Sequence, residues 1–212
     1  MNLHLRSVLR RLTSQRVPIL DDCGVADPAP RYRDRSFASG EVSPDQAAVD
    51  EAVATMINAK QRILHVGVGA SSVARRFAHD VRSIDGITVM PDEVAAAEAL
   101  ALANYRVWVA NKYGVGGREL SGPYDIIADN NLGSFACCRK HAEAWLDTIV
   151  RVLAPGGRVV THERGARFCE PGGVPTRFPE FRRAGERRGM VVRKERGGIW
   201  VWGRPGRSGS DQ

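Results

Sequence analysis

At 212 residues, with 43% hydrophobic and 26% charged side chains, the chain has the size and composition of one globular domain with short appendages. No stretch approaches the ~20 continuous apolar residues of a membrane span, and Met1–Leu20 carries arginines where a signal peptide needs an apolar core, so a cytoplasmic protein with no membrane partner is expected. The net charge of +7 comes largely from arginine at Arg6 to Arg35 and Arg177 to Arg207. Such a surface can attract RNA, an acidic carrier protein or a phosphorylated small substrate, but the runs lack interleaved aromatics for base stacking, so nucleic acid is allowed and not favoured. Cys23, Cys137, Cys138 and Cys169 form no C-x-x-C pair and there is no paired-histidine spacing, which predicts reduced thiols and no metal site.

Residues 1–16 read as a helix with Leu3, Leu5, Val8, Leu9 and Leu12 on one face. Residues 21–42, with Gly24, Pro28, Pro30 and Gly40, read as a loop or lid. Ser43-Pro44-Asp45-Gln46 then announces a helix to about Lys60, with Ser43 as cap and Pro44 in the first position. From there strand and helix alternate: a strand over 62–67, a helix over 72–79, a strand over 86–90, a helix over 92–103, and strands over 105–110 and 124–128. A long helix over 135–153 stops at Ala154-Pro155-Gly156-Gly157, a fifth strand follows at 158–161, and a helix over 179–188 precedes closing strands at 190–194 and 199–202. His141 and Trp145 on the long helix read as packing residues, and Trp200 and Trp202, alternating with Val201, read as one core-facing sheet face. The pattern predicts an N-terminal helix and lid segment (1–42), an α/β domain (43–202) and a disordered tail (203–212). The domain should be a doubly wound, seven-stranded, mostly parallel sheet with an antiparallel edge strand, helices on both faces and an N-terminal helical lid.

The segment Ile63-Leu64-His65-Val66-Gly67-Val68-Gly69-Ala70-Ser71-Ser72 is a strand that turns through glycines into a helix, leaving bare backbone and a helix N-terminus for a ligand. Alone, it also fits a tight turn that binds nothing. Two further pieces follow in order: Tyr124-Asp125-Ile126-Ile127-Ala128-Asp129-Asn130-Asn131, a strand ending in polar residues, and Val152-Leu153-Ala154-Pro155-Gly156-Gly157-Arg158-Val159-Val160. Together they resemble the class I S-adenosylmethionine (SAM) methyltransferase family, with its glycine-rich first motif, F-D-x-I/V-type fourth strand and L-x-P-G-G turn. The resemblance covers roughly residues 43–202, and that turn and the closing strand pair disfavour a dinucleotide-binding protein.

The resemblance implies SAM as cofactor, held at Gly67 and Gly69, with Ser71 in the place of the family's third glycine and His65 in the place of its strand acid. Where the family ends its second strand with an acid for the ribose hydroxyls, this chain has Val89 and Met90, so Asp92 or Glu93 would have to reach back. Asn111 replaces the adenine-contacting Asp, and Asp129, Asn130 and Asn131 match the region beside the transferable methyl. Asn130, Asn131 and His162, the last as a base, are the candidate catalytic residues, with Glu163 as another polar group near the methyl; His65, Gly67, Gly69, Ser71, Met90, Asn111, Asp129 and Asn130 are the candidate cofactor contacts. Tyr32, Phe37 and Tyr113 are candidates for an aromatic lid, and the loop 165–175 for a pocket cover. The expected activity is in-line methyl transfer to a small molecule, in a role such as specialised-metabolite biosynthesis. Chemistry on the aminobutyrate arm of SAM, RNA methylation and a non-catalytic partner subunit are the alternatives, and self-association stays open.

Overall fold

A computed structural model of the chain describes residues 38, 40–113, 120–132, 139–167 and 176–206. The helix expected over 1–16, nearly all of the expected lid, Tyr32, Phe37 and the four cysteines lie outside the described residues. Seven strands form one sheet in the order β3-β2-β1-β4-β5-β7-β6: β1 Arg62–Val66, β2 Ser83–Thr88, β3 Tyr105–Val109, β4 Tyr124–Asp129, β5 Leu153–His162, β6 Val191–Lys194 and β7 Ile199–Gly203. Strands β1 to β5 pair in parallel, while β7 runs antiparallel to both neighbours, lying between β5 and the edge strand β6. This is the doubly wound architecture expected from the alternating pattern.

Alternation along β1 sends its side chains to two cores. Leu64 and Val66 join Trp145 and Ile149 of α4 (Arg139–Val152) and Phe181 of α6 (Phe178–Glu186) on one face. Ile63 joins Val49 and Val53 of α1 (Pro44–Ala54) and Val73 and Phe77 of α2 (Ser72–Phe77) on the other. Trp200 and Trp202 are both fully buried on the α4/α6 face, where Phe181 stacks on Trp202 at 4.9 Å between centroids. No helix among the described residues is long and apolar enough to cross a membrane.

Several boundaries differ from the sequence reading, each for a local reason. Ser43 caps α1 by accepting the Gln46 N–H (3.3 Å), but the helix ends at Ala54, not near Lys60, because Asn58 and Gln61 close a turn (Asn58 N–H to Gln61 Oε1, 2.8 Å). Strand β2 begins three residues earlier than expected and ends at Thr88, leaving Val89 and Met90 as a link to α3 (Pro91–Glu98). Its early part was hidden by Asp85, a strand-breaking charge that is buried here. The carboxylate accepts from Tyr124 Oη (2.7 Å), Arg106 (3.2 Å) and Arg62 (3.4 Å) on three other strands. The segment after β5 opens as a short helix, α5 (Glu163–Arg167), in place of the expected loop from residue 165. Gly203 belongs to β7, and the next residue, Arg204, is docked, its N–H on Gly157 O (2.9 Å) and its guanidinium on Val150 O at the end of α4 (3.2 Å), so the chain stays packed past the expected start of the tail.

Candidate active site

A cavity of about 540 Å³ opens beyond the carboxyl ends of β1 to β4. Parallel strands with crossovers on opposite faces leave such a crevice where the strand order reverses, here between β1 and β4. After β1 the backbone turns through Gly67 (φ +73°) and Gly69 (φ +48°), a left-handed path that puts bare main chain on the cavity wall. Val89 and Met90 after β2, Asn111 and Lys112 after β3, and Asn130 and Asn131 after β4 complete the base. The segment entering α1 and the start of α5 supply the remaining side.

A carboxylate from the first turn of α3 reaches the end of β2. Glu93 is buried, lines the cavity, and its Oε2 accepts both the Thr88 hydroxyl (2.6 Å) and the Gly69 N–H (3.1 Å). The Met90 N–H donates to Thr88 Oγ1 (3.1 Å), so the three segments are tied together. Of Asp92 and Glu93, Asp92 is exposed while Glu93 turns back toward the end of β2. Asn111 turns its Oδ1 to the Tyr113 N–H (3.0 Å), and its amide nitrogen has no partner among the described residues. Tyr113 lines the cavity with its hydroxyl donating to Leu132 O (3.1 Å).

Beneath the floor lies a buried ion pair that linear reading missed. Lys112 Nζ donates to Asp129 Oδ1 (2.9 Å), Asp129 Oδ2 (2.8 Å) and Asn131 O (2.7 Å). Asp129 also accepts from Trp145 Nε1 (2.8 Å) and the Asn131 N–H (3.0 Å), and is fully buried. Burial pushes the Lys112 ammonium below its usual range, against the opposing pull of Asp129. Asp129 therefore lies behind the cavity wall, where it organises Lys112 and Asn131. Asn131 Nδ2 in turn packs over Gly67, where it would sit 3.2 Å from any added Cβ.

Asn130 lines the cavity and donates its Nδ2 to Asp45 Oδ2 of α1 (2.7 Å). That orientation leaves Asn130 Oδ1 buried with no partner, at a cost of about 1–3 kcal/mol. Gly165 of α5 packs on Asn130 so closely that any Cβ there would collide with the Asn130 carbonyl. Burial alone would raise the Asp45 carboxyl, but hydrogen bonds from Asn130, Ser43 and its own backbone, with charge at His162, outweigh it and hold it below the usual range.

The other residues singled out from sequence lie off the cavity wall. His162 accepts the Arg164 N–H at Nδ1 (3.0 Å) and contacts Gly197 O with Nε2 (2.9 Å), which assigns the proton to Nε2 and engages both nitrogens with backbone. Its neighbour Glu163 pairs with Lys194 (3.2 Å). Ser71 is buried in a left-handed conformation (φ +58°) and accepts the Tyr105 hydroxyl (3.0 Å), whose own ionisation burial pushes up to about 12. His65 sits in register between Gly86 and Ala128, with neither ring nitrogen hydrogen-bonded, and burial lowers its pKa to about 4. Asp45 and Lys112 thus join the site on long-range contacts that spacing does not reveal.

No protein-family model matches the sequence, and no curated protein matches it. Solved structures do. The N-methyltransferase NodS from Bradyrhizobium japonicum, in complex with S-adenosyl-L-homocysteine, aligns at TM-score 0.59 and 15% identity over 84% of this chain and 100% of that one. An O-methyltransferase family protein from Burkholderia thailandensis aligns at TM-score 0.61 and 14% identity over 96% of this chain and 69% of that one. A TehB-like SAM-dependent methyltransferase from Corynebacterium glutamicum aligns at 0.55 and 17% over 82% and 93%. The chain has the class I SAM-dependent methyltransferase fold, in a sequence that diverges widely from these neighbours.

Proposed function

We propose that this protein is a SAM-dependent methyltransferase that acts on a small molecule by in-line methyl transfer. The observation that carries the reading is the cavity beyond β1 to β4, where bare backbone at Gly67 and Gly69 meets a carboxylate from Glu93. The residues present fit the cofactor. Side chains at 67 and 69 would intrude on the wall, Glu93 can accept from ribose hydroxyls, and the Asn111 amide nitrogen can donate to an adenine acceptor. Met90 and Tyr113 offer apolar walls to a planar base. When bound, SAM supplies an electrophilic methyl on a sulfonium. The protein's task is then to hold the acceptor in line with that methyl and keep water out. Asn130 and Asn131, beside Gly67, take the acceptor side, and His162 acts as a positioning residue that pins the start of α5 to the 197–198 turn. A small-molecule acceptor is supported by the arginines of α6 and beyond, several of which are ion-paired: Arg187 and Arg188 to Glu143, Arg188 to Asp147 and Arg182 to Glu186.

The test is calorimetric titration with SAM and S-adenosylhomocysteine, followed by mass spectrometry of incubations with candidate acceptors. Micromolar binding of both and release of S-adenosylhomocysteine are expected. Methylthioadenosine as product would move the chemistry to the aminobutyrate arm, and binding of neither ligand would overturn the reading.

A further inference from the structure

Resting on the reading of this cavity as a methyl-transfer site, we propose that the acceptor is a cationic amine and that Asp45 is the carboxylate that receives it. The chain as a whole carries +7, yet the segment entering α1 brings two acids, Glu41 and Asp45, to the cavity lining. Neither forms an ion pair among the described residues. Two cations share the lining. Lys112 is neutralised by Asp129 beneath the floor, and Arg164 is exposed and pairs with neither acid. The cavity therefore presents a half-buried carboxylate with no ion-pair partner among the described residues.

Asn130 is the second, independent sign. The residue is 5% exposed and lines the cavity, and it gives its Nδ2 to Asp45 while its Oδ1 is buried without a hydrogen-bond partner. The reversed amide would face oxygen to carboxylate, so the contact with Asp45 decides the orientation. The result is a carboxylate aimed by a neutral donor, which keeps its charge for a ligand. The hydrogen bonds and nearby charge on Asp45 keep it ionised through neutral pH. A carboxylate fixed beside the acceptor also stabilises the positive charge that grows on nitrogen during alkylation. In that step the bound ammonium first releases one proton to water, the freed lone pair bonds to the donor's methyl carbon, and the C–S pair returns to sulfur to give S-adenosylhomocysteine and a methylated ammonium that keeps its charge beside Asp45.

The test uses the full chain saturated with S-adenosylhomocysteine, with three matched probe sets: phenethylamine, tryptamine and cyclohexylmethylamine; the corresponding alcohols; and the corresponding carboxylates. Calorimetry should give at least one amine an affinity about ten- to a hundredfold above its alcohol, the value of a charge-assisted hydrogen bond. In Asp45→Asn that preference should collapse while S-adenosylhomocysteine still binds within about twofold of the wild type, since Asp45 is assigned to the acceptor and not to the cofactor. Glu41→Gln, at an exposed position that cannot disturb the core, should weaken the amine by a few-fold and serves as the second variant should Asp45→Asn misfold. An amine preference that survives Asp45→Asn, a preference for alcohols or carboxylates, or no amine binding at all overturns the proposal. Loss of S-adenosylhomocysteine binding in the wild type overturns instead the methyltransferase reading, and the amine series repeated without that ligand still reads Asp45 on its own.

Discussion

His65 offers a direct measurement of how dry the first strand is. Its imidazole is buried with neither nitrogen bonded, and burial depresses its pKa to about 4 from an ordinary 6.5. A depressed histidine pKa means that the unfolded chain takes up a proton that the folded one refuses. The stability tied to neutral His65 is therefore fully present above pH 6.5 and drains away as pH falls toward 4. At about pH 4.5 protonation favours the unfolded chain far more than the folded one, a net loss on the order of 2–3 kcal/mol relative to about pH 7.5. The perturbation is His65→Leu, which keeps the volume and removes both the proton site and the unpaired polar atoms. Urea unfolding at the two pH values would be compared in wild type and variant, so that every other titrating group cancels. The variant should be more stable by about 1 kcal/mol or more at the higher pH, because an unpartnered buried donor is gone. It should also lose on the order of 2–3 kcal/mol less on acidification. Equal acid sensitivity in the two proteins would refute the reasoning, since it would mean that His65 titrates in the fold as it does in water.

Three further outcomes follow from the site. Lys112→Met should cost about 3–5 kcal/mol by leaving Asp129 buried and unpaired, and adding Asp129→Asn should recover most of it; urea unfolding of the two variants measures the coupling. Gly69→Val places a β-branched residue at φ +48° and should raise the S-adenosylhomocysteine dissociation constant by about a hundredfold or more, whereas unchanged affinity in calorimetry would mean that the cofactor lies elsewhere. Glu93→Gln preserves an acceptor for Thr88 and Gly69 but removes the charge, and should weaken the same ligand by about tenfold with a melting temperature close to the wild type's.

The parts legible in the sequence are those written in neighbouring residues. Gly67 and Gly69 after an apolar run and the alternation of Trp200 with Trp202 each pointed to the element found there, whereas Pro155-Gly156-Gly157, read as a turn before a strand at 158, lies within β5, which already begins at Leu153. Strand β2 was misplaced because Asp85 is acceptable in a buried strand only through Arg62, Arg106 and Tyr124, which the sheet, not the chain, brings alongside. The same holds for the site. Asn130 and Asp45 meet across 85 residues, and Lys112 and Asp129 across 17. No periodicity encodes such pairs. Asp129 was singled out as a cofactor contact because a polar strand end looks alike whether it faces the ligand or, as here, the lysine beneath it.

What the long-range contacts achieve together is a rim that is braced before any ligand arrives. Glu93 ties the glycine loop to the end of β2, Lys112 and Asp129 tie the end of β3 to that of β4, Asn131 closes over Gly67, and Asn130 reaches α1. Stability alone does not account for the choice of residues, because an apolar pair of similar volume in place of Lys112 and Asp129 would hold the two loops as well or better. An ion pair adds direction. Lys112 fixes the Asn131 carbonyl and Asp129 fixes the Asn131 N–H, so one residue at the cavity wall is held from both of its backbone groups. A ligand entering such a site orders little that is not already ordered, and more of its contact energy appears as affinity. Where Val89 and Met90 depart from the family's pattern at the end of β2, the nearest carboxylate on the cavity wall is that of Glu93, one helical turn onward, anchored by the Gly69 N–H and the Thr88 hydroxyl.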